Sequence, residues 1–458
     1  MSQRSTSGGP EPWNVSGISS QPAASRGAPG ILIQKYGGSS LATADQMRQV
    51  ARTVADTHRS GRPTVVVVSA RGHRTDELLR LAAATGQEHT GRETDQLLAI
   101  GEIESAALLA ITLRDLGVPA VSLTGAQAGI RSVGKSGEGV IDHIDTRRLQ
   151  RILAAGEIPV VAGFQGSDEA GDVITLGRGG SDTTAVALAA VLRAGSCEIC
   201  TDVPGVATAD PRVVHNARAL PVVDVGVMAE MSFAGAKVLH SRAVELAAMH
   251  GVELRVRSAT PGSPTVSNAT ASNSPGPGTI IPVGSVGTTL ESHGVVVAIA
   301  HDLDVARVLV QCGSRRRDLA AEILGMLSER AVPLDLVARS GPYEDEFRMG
   351  FTMRRKDVDQ TLSAVREAMV GFGATIHVDE NVGKLSLIGM GLLNRPEYTA
   401  RMLAALAAAD IPTSWLSTSQ IRTSVVIPLD RILGAVQLLH DEFELDRAPL
   451  GPVSVTST

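Results

Sequence analysis

A chain of 458 residues, 43% of them apolar, is long enough for roughly two to four domains and can bury a substantial core. Aromatic residues make up only 2%, so valine, leucine, isoleucine and alanine must build that core, which suits parallel α/β layers with continuous apolar strands. The net charge of −6 argues against a nucleic-acid or anionic-membrane surface, and no apolar run reaches bilayer-spanning length.

Residues 1–28 are polar and low in complexity and lack an apolar signal stretch, so a disordered tail is expected. A first strand follows at 30–36, with Lys35 at its end, then Gly37-Gly38-Ser39-Ser40 and a helix over 44–58. The apolar run 63–70 predicts a second strand, with Ser69 at its end and Thr75 in the loop after it. Glu102 lies near the start of a helix, where it is either a favourable first-turn charge or a holder of a substrate ammonium. Further strands are expected at 118–123, 158–164 and 197–203, separated by helical patterns, which implies a largely parallel sheet covered on both faces.

The most informative stretch is Thr175-Leu176-Gly177-Arg178-Gly179-Gly180-Ser181-Asp182-Thr183-Thr184-Ala185. It joins a glycine-rich turn to a helix expected over 182–194. Backbone N–H groups and a helix N-terminus suit an anion, and Arg178 adds a planar fork for a carboxylate or phosphate. Lys35, placed over its own glycine turn, is a candidate for neutralising phosphate oxygens. A Pro-Gly turn in Thr201-Asp202-Val203-Pro204-Gly205-Val206-Ala207-Thr208-Ala209-Asp210-Pro211-Arg212 gathers two acids and an arginine, and Lys237 is a further basic candidate. The Cys197-x-x-Cys200 pair has no second pair for a zinc ribbon. With Cys312 it reads as buried thiols of a reducing cytoplasm. No metal-ligand cluster is expected.

At 260–277 the composition turns to Thr, Ser, Asn, Pro and Gly, a linker; beyond it a shorter pattern repeats as two βαββαβ units, read as ligand-sensing modules.

Lys35-Tyr36-Gly37-Gly38-Ser39-Ser40, Val68-Ser69-Ala70, Gly101-Glu102, Gly163-Phe164-Gln165-Gly166, the Thr175–Thr184 turn, Thr201–Arg212 and Gly235-Ala236-Lys237-Val238-Leu239 occur in one order, and together they resemble the aspartate kinase family. The resemblance implies an amino-acid-kinase domain over 29–259, a linker over 260–290, ACT domains over 291–375 and 376–450, and a tail over 451–458. It implies transfer of the γ-phosphoryl of ATP to the β-carboxylate of L-aspartate with Mg2+, an amino-acid effector, homo-oligomers formed through the ACT domains, and a cytoplasmic enzyme. Lys35 and Asp182 are then catalytic. Ser39, Thr75, Glu102, Arg178, Gly179, Gly180 and Ser181 bind substrate. Lys35, Tyr36, Gly37, Gly38, Thr201, Asp202, Ala207, Asp210, Arg212 and Lys237 serve ATP. Ala338, Arg339, Ser419 and Gln420 fall at the regulatory pocket. Departures from the family pattern there and at Arg315, Arg316 and Arg317 imply altered or weakened lysine and threonine feedback. Ala207 replaces a usual aromatic near the adenine. The rival expectations are a catalytically weak amino-acid sensor and a related kinase acting on another carboxylate.

Overall fold

Val65, Val66, Val67 and Val68 are all fully buried, as a strand covered on both faces must be. In the computed structural model they sit in a seven-stranded sheet ordered Thr279–Ile281, Leu254–Ser258, Ser196–Thr201, Leu32–Tyr36, Thr64–Val68, Ile158–Ala162, Ala120–Leu123. The structure describes residues 30–86, 91–259, 278–283, 295–313, 319–330, 332–340 and 347–447. The expected terminal tails, most of the linker and the Arg315–Arg317 segment lie outside the described residues.

Every neighbouring pair in this sheet is parallel except Thr279–Ile281 against Leu254–Ser258. That antiparallel edge strand falls within the expected linker. It joins the sheet because Ile281 is buried and the Thr279 hydroxyl both donates to Leu220 O and accepts from Val206 N–H. Ile33, Val65 and Val67 face one core layer with the helix Gly180–Val191. Tyr36, Val66 and Val68 face the other, with Ala44–Arg59 and Ile100–Asp115. The helical stretch Arg92–Asp115 is long and apolar enough to cross a membrane by length and composition alone, but its Ala106, Leu109, Ala110 and Leu113 pack against the sheet. A second sheet of four short strands carries Val173–Thr175, the lead into the glycine turn.

The C-terminal region forms one six-stranded sheet, ordered Asp335–Ser340, Phe347–Met353, Val295–Cys312, Thr375–Met390, Arg422–Pro428, Ser414–Thr418. Two apolar runs in the sequence, 294–299 and 306–311, read as separate strands of the first repeated unit. They are a single strand, Val295–Cys312, and its halves serve different modules. Residues from Arg307 to Gln311 pair with Phe347–Met353 and with 375–379, whereas Val295–Asp302 pair with 384–390. The two units are therefore threaded through each other rather than laid end to end. Ladder bonding needs only backbone, so polar His301 and Asp302 stay paired, and the irregularity is absorbed as register shifts between Asp302, Val305 and Arg307.

The two regions share their cores. Ala298, Ala300 and Ile388 pack with Met228, Met231 and Leu239 of the first region. Ala209, Val214 and Ala217 pack with Ile299, Leu385 and Leu439 of the second.

Candidate active site

Parallel strands end on one edge, so Lys35, Ser69 and Thr201 reach the same side of the sheet. The helix Gly180–Val191 begins there. It starts two residues before the expected onset because Gly179, at φ 72°, turns the chain directly into Gly180 and Ser181. A Cβ at Gly179 would run into the His240 ring, so only glycine fits. Asp182 falls in the first helical turn, where the helix dipole favours a carboxylate. Its Oδ1 lies 2.6 Å from Lys35 Nζ, with both side chains largely shielded.

Across a cleft of about 1480 Å3 stand Ser69, Thr75, Glu102 and Arg178, with Gly179, Gly180, Ser181 and the Lys35–Asp182 pair. Glu102 is 4% exposed. Its Oε1 accepts the Ala70 N–H at 3.0 Å, and its Oε2 is buried without a hydrogen-bond partner. Burial pushes its carboxyl up to about 7; the Ala70 N–H and the charge of Lys35 pull it back only in part. Arg178 is exposed to the cleft and has no polar partner among the described residues.

Three groups that hold this arrangement escaped the sequence reading. Asp95, almost wholly buried, accepts the Thr175 N–H at 2.8 Å, the Thr175 hydroxyl at 2.7 Å and the Gly137 N–H at 3.0 Å. Arg242 donates to Leu176 O and Gly139 O, both at 2.8 Å. His240 packs on Gly179, and burial lowers its pKa. Only contacts in the folded chain distinguish these residues from ordinary surface charges.

The nucleotide-side candidates fall elsewhere. Gly37 donates its N–H to Cys200 O at 3.2 Å, which sets the Gly37-Gly38 turn beside Thr201. Gly38 is pressed against Ala70 O, where a side chain would collide. Ser39 is exposed on the short helix Gly38–Leu41 and does not line the cleft. Tyr36 needs correcting as a nucleotide contact: its ring is in the core, its hydroxyl points to Gln34, and its carbonyl takes the Ser69 N–H. Thr201 donates to Asp202 at 2.9 Å, and Arg212 closes on Asp210 at 2.8 and 3.0 Å. Burial lowers the His301 pKa, Lys237 and Arg212 push it the same way, and Asp210 opposes them. Ala207 bridges to Ala219 and packs towards the second region's core.

At the regulatory positions, Ala338 and Arg339 are exposed on the strand Asp335–Ser340, with the Arg339 guanidinium 5.6 Å from the Phe347 ring centroid. The Ser419 hydroxyl is used within its own turn by Arg422 and Ile421. Gln420 lines a cleft of about 380 Å3 with Asp224 and Arg395, and neither Ala338 nor Arg339 reaches it. Cys197, Cys200 and Cys312 are all free and buried, and burial pushes the Cys200 thiol up to about 12.

A parallel sheet with an anion turn at its C-terminal edge, backed by a shared six-stranded sheet, defines an amino-acid kinase with a C-terminal ligand-sensing region. Residues 30–258 match the model of the amino acid kinase family, and residues 385–443 match the ACT domain. The chain is 39% identical to the aspartokinase of Geobacillus stearothermophilus across 91% of this chain and 98% of that protein. It is 42% identical to the aspartokinase of Mycolicibacterium smegmatis across 91% of this chain and 96% of that one. The fold is that of E. coli aspartokinase III in complex with aspartate and ADP, with a TM-score of 0.75 at 24% identity, covering 90% of this chain and 99% of that structure. The chain belongs to the aspartokinase family, and it is a phosphotransferase.

Proposed function

We propose that this enzyme transfers the γ-phosphoryl group of ATP to the β-carboxylate of L-aspartate, giving 4-phospho-L-aspartate. One observation carries the reading. A buried carboxylate oxygen of Glu102 without a partner and an unpaired Arg178 guanidinium line the same cleft as the Lys35–Asp182 pair. An amino-acid zwitterion satisfies the first two groups, and a second carboxylate on a short side chain can then reach the third.

In this reading Arg178 clamps the α-carboxylate and Glu102 takes the α-ammonium. Thr75 and Ser69 line the same wall, and Ser39 sits farther off. Gly179, Gly180 and Ser181 present the helix N-terminus. A β-carboxylate oxygen attacks the γ-phosphorus, the bond from that phosphorus to the ADP oxygen breaks, and no proton needs to move because the nucleophile is already an anion. Catalysis is then positioning plus charge neutralisation, with Lys35 held by Asp182 between the two anions. Gly37 and Gly38 approach the phosphates, and Thr201, Asp202, Ala207, Asp210, Arg212 and Lys237 serve the nucleotide, with Tyr36 confined to the core behind them.

Among the described residues no group of three or more His, Cys, Asp or Glu is placed to hold a metal ion. A magnesium ion fits nonetheless, because it is commonly held by one or two carboxylates together with nucleotide phosphates and water. Asp182 is the carboxylate placed for it. Such an ion would supply positive charge to the phosphate oxygens.

We place the enzyme in the cytoplasm, where ATP is available and its three thiols stay reduced, and expect homo-oligomers formed through the second region. With Ser419 absorbed by its turn and Gln420 uncharged, we expect weakened feedback. Millimolar lysine plus threonine should inhibit poorly in initial rates at sub-saturating aspartate; strong inhibition at low effector concentration removes this part of the reading.

The test of the activity is trapping of an acyl phosphate by hydroxylamine, with aspartate and glutamate in parallel. Hydroxamate from aspartate and not from glutamate is the expected result. Product from glutamate alone points to a related kinase, and none from either points to an amino-acid sensor.

A further inference from the structure

The cleft is not closed by the kinase sheet alone. Part of its wall comes from the second region, where the helix Leu319–Glu329 contributes Leu327, and Arg330, Arg354 and Lys356 add positive charge. Most of the cations around the cleft are occupied. Arg242 is bound to two carbonyls, Arg330 to Met326 O and Glu367, and Lys35 to Asp182. The guanidinium groups of Arg178 and Arg354 have no hydrogen-bond or ion-pair partner among the described residues.

Arg354 is half-buried, at the end of the strand Phe347–Met353. A partly buried guanidinium without a partner costs free energy that an anion would recover. It lines the same cleft as Arg178 and the His240 ring. That ring packs against Gly179, the residue after Arg178, and the charges of Arg354, Arg242 and Arg178 all act on its titration. The second region therefore presents Arg354 to the cleft that Arg178 and Glu102 line.

We propose that Arg354 is a substrate-gripping residue, lent to the active site by the regulatory region and sharing the substrate's α-carboxylate with Arg178. This rests on the reading of the substrate as aspartate. The active site is then incomplete without the second region, and movement of that region is felt directly in aspartate affinity.

The experiment is steady-state kinetics of the full-length wild type, Arg354→Ala and Arg354→Lys, with aspartate and ATP varied separately and thermal unfolding followed in parallel. Arg354→Ala should raise the aspartate KM about tenfold, the scale of losing one charge-assisted contact, with kcat and the ATP KM within about twofold of wild type. Arg354→Lys should fall between the two. An unfolding midpoint unchanged to about a degree separates lost grip from lost fold, because Arg354 holds nothing else in the described chain. An aspartate KM within about twofold of wild type in the alanine variant overturns the inference, and so does an ATP KM that rises in step. If Arg354→Ala does not fold, Arg354→Lys decides by the same KM comparison. A wild type that forms no hydroxamate from aspartate overturns the substrate reading and this inference together, whereas an active wild type with indifferent variants overturns this inference alone.

Discussion

Replacing Arg178 by lysine keeps a charge but loses the two-pronged grip on a carboxylate. Arg178→Lys should raise the aspartate KM and lower kcat/KM by about one to two powers of ten, measured with aspartate as the varied substrate. Lys35→Ala should act on kcat instead, because charge between two anions matters most at the transition state; loss of ATP binding alone would make Lys35 a ground-state contact. Glu102 gives a prediction of stability with a definite sign. Its folded carboxyl titrates near 7 against an ordinary 4.5, so the folded chain keeps a proton that the unfolded chain has lost. Stability contributed by this group falls as pH rises from about 4.5 to about 7, by at most about 3 kcal/mol. Glu102→Gln should therefore stabilise the ligand-free protein at about pH 8, match wild type near pH 4, and lose the rise of wild-type aspartate kcat/KM through about pH 7. Thermal unfolding at both pH values and a pH–rate profile read all three effects. Lys35, Glu102, Arg178 and Asp182 were legible because glycine turns and helix starts announce such groups locally. Asp95 was not, because its meaning lies in Thr175, its hydrogen-bonding partner 80 residues further along the chain.

The glycine turn is a structural element as much as a set of residues. Gly179→Ala meets two penalties at once, a left-handed backbone and the His240 ring. It should cost more than about 1 kcal/mol and depress activity with aspartate further than the stability loss explains, since His240 or the helix start must shift. A folded Gly179→Ala enzyme with wild-type kinetics would show that the turn tolerates displacement. The kinase strands could be read because valine runs declare themselves. The edge strand Thr279–Ile281 is only three residues long and hid in a stretch read as linker. The long strand Val295–Cys312 hid for the opposite reason. Apolar periodicity reports burial, and its polar middle emerges at a bulge where the same strand passes from one partner set to the next.

Across the whole molecule, a largely buried charge cluster joins four segments. Lys384, only 4% exposed, lies 2.7 Å from Asp335. Arg422 lies 3.2 Å from Asp335 and 3.3 Å from Glu230 of the kinase region. Phe233 stands 5.1 Å from both cations. Burial pushes the Asp335 carboxyl up, and the two cations more than offset that and hold it below its ordinary value. Asp335→Ala strands a buried ammonium, so it should cost about 3 kcal/mol or more in thermal unfolding, and pairing it with Lys384→Met should recover much of the loss. Equal destabilisation of the single and double variants would make the cluster incidental. The shared strand has its own consequence for how such a protein can be cut or recombined. A break near residue 375 respects the apparent repeat, yet it separates 384–390 from their backbone partners at 295–302 and leaves open edges on both pieces. The two sensing units therefore cannot be swapped, lost or acquired one at a time. They pass between proteins as a single inheritance, and a fragment starting at 295 should fold where one starting at 376 precipitates.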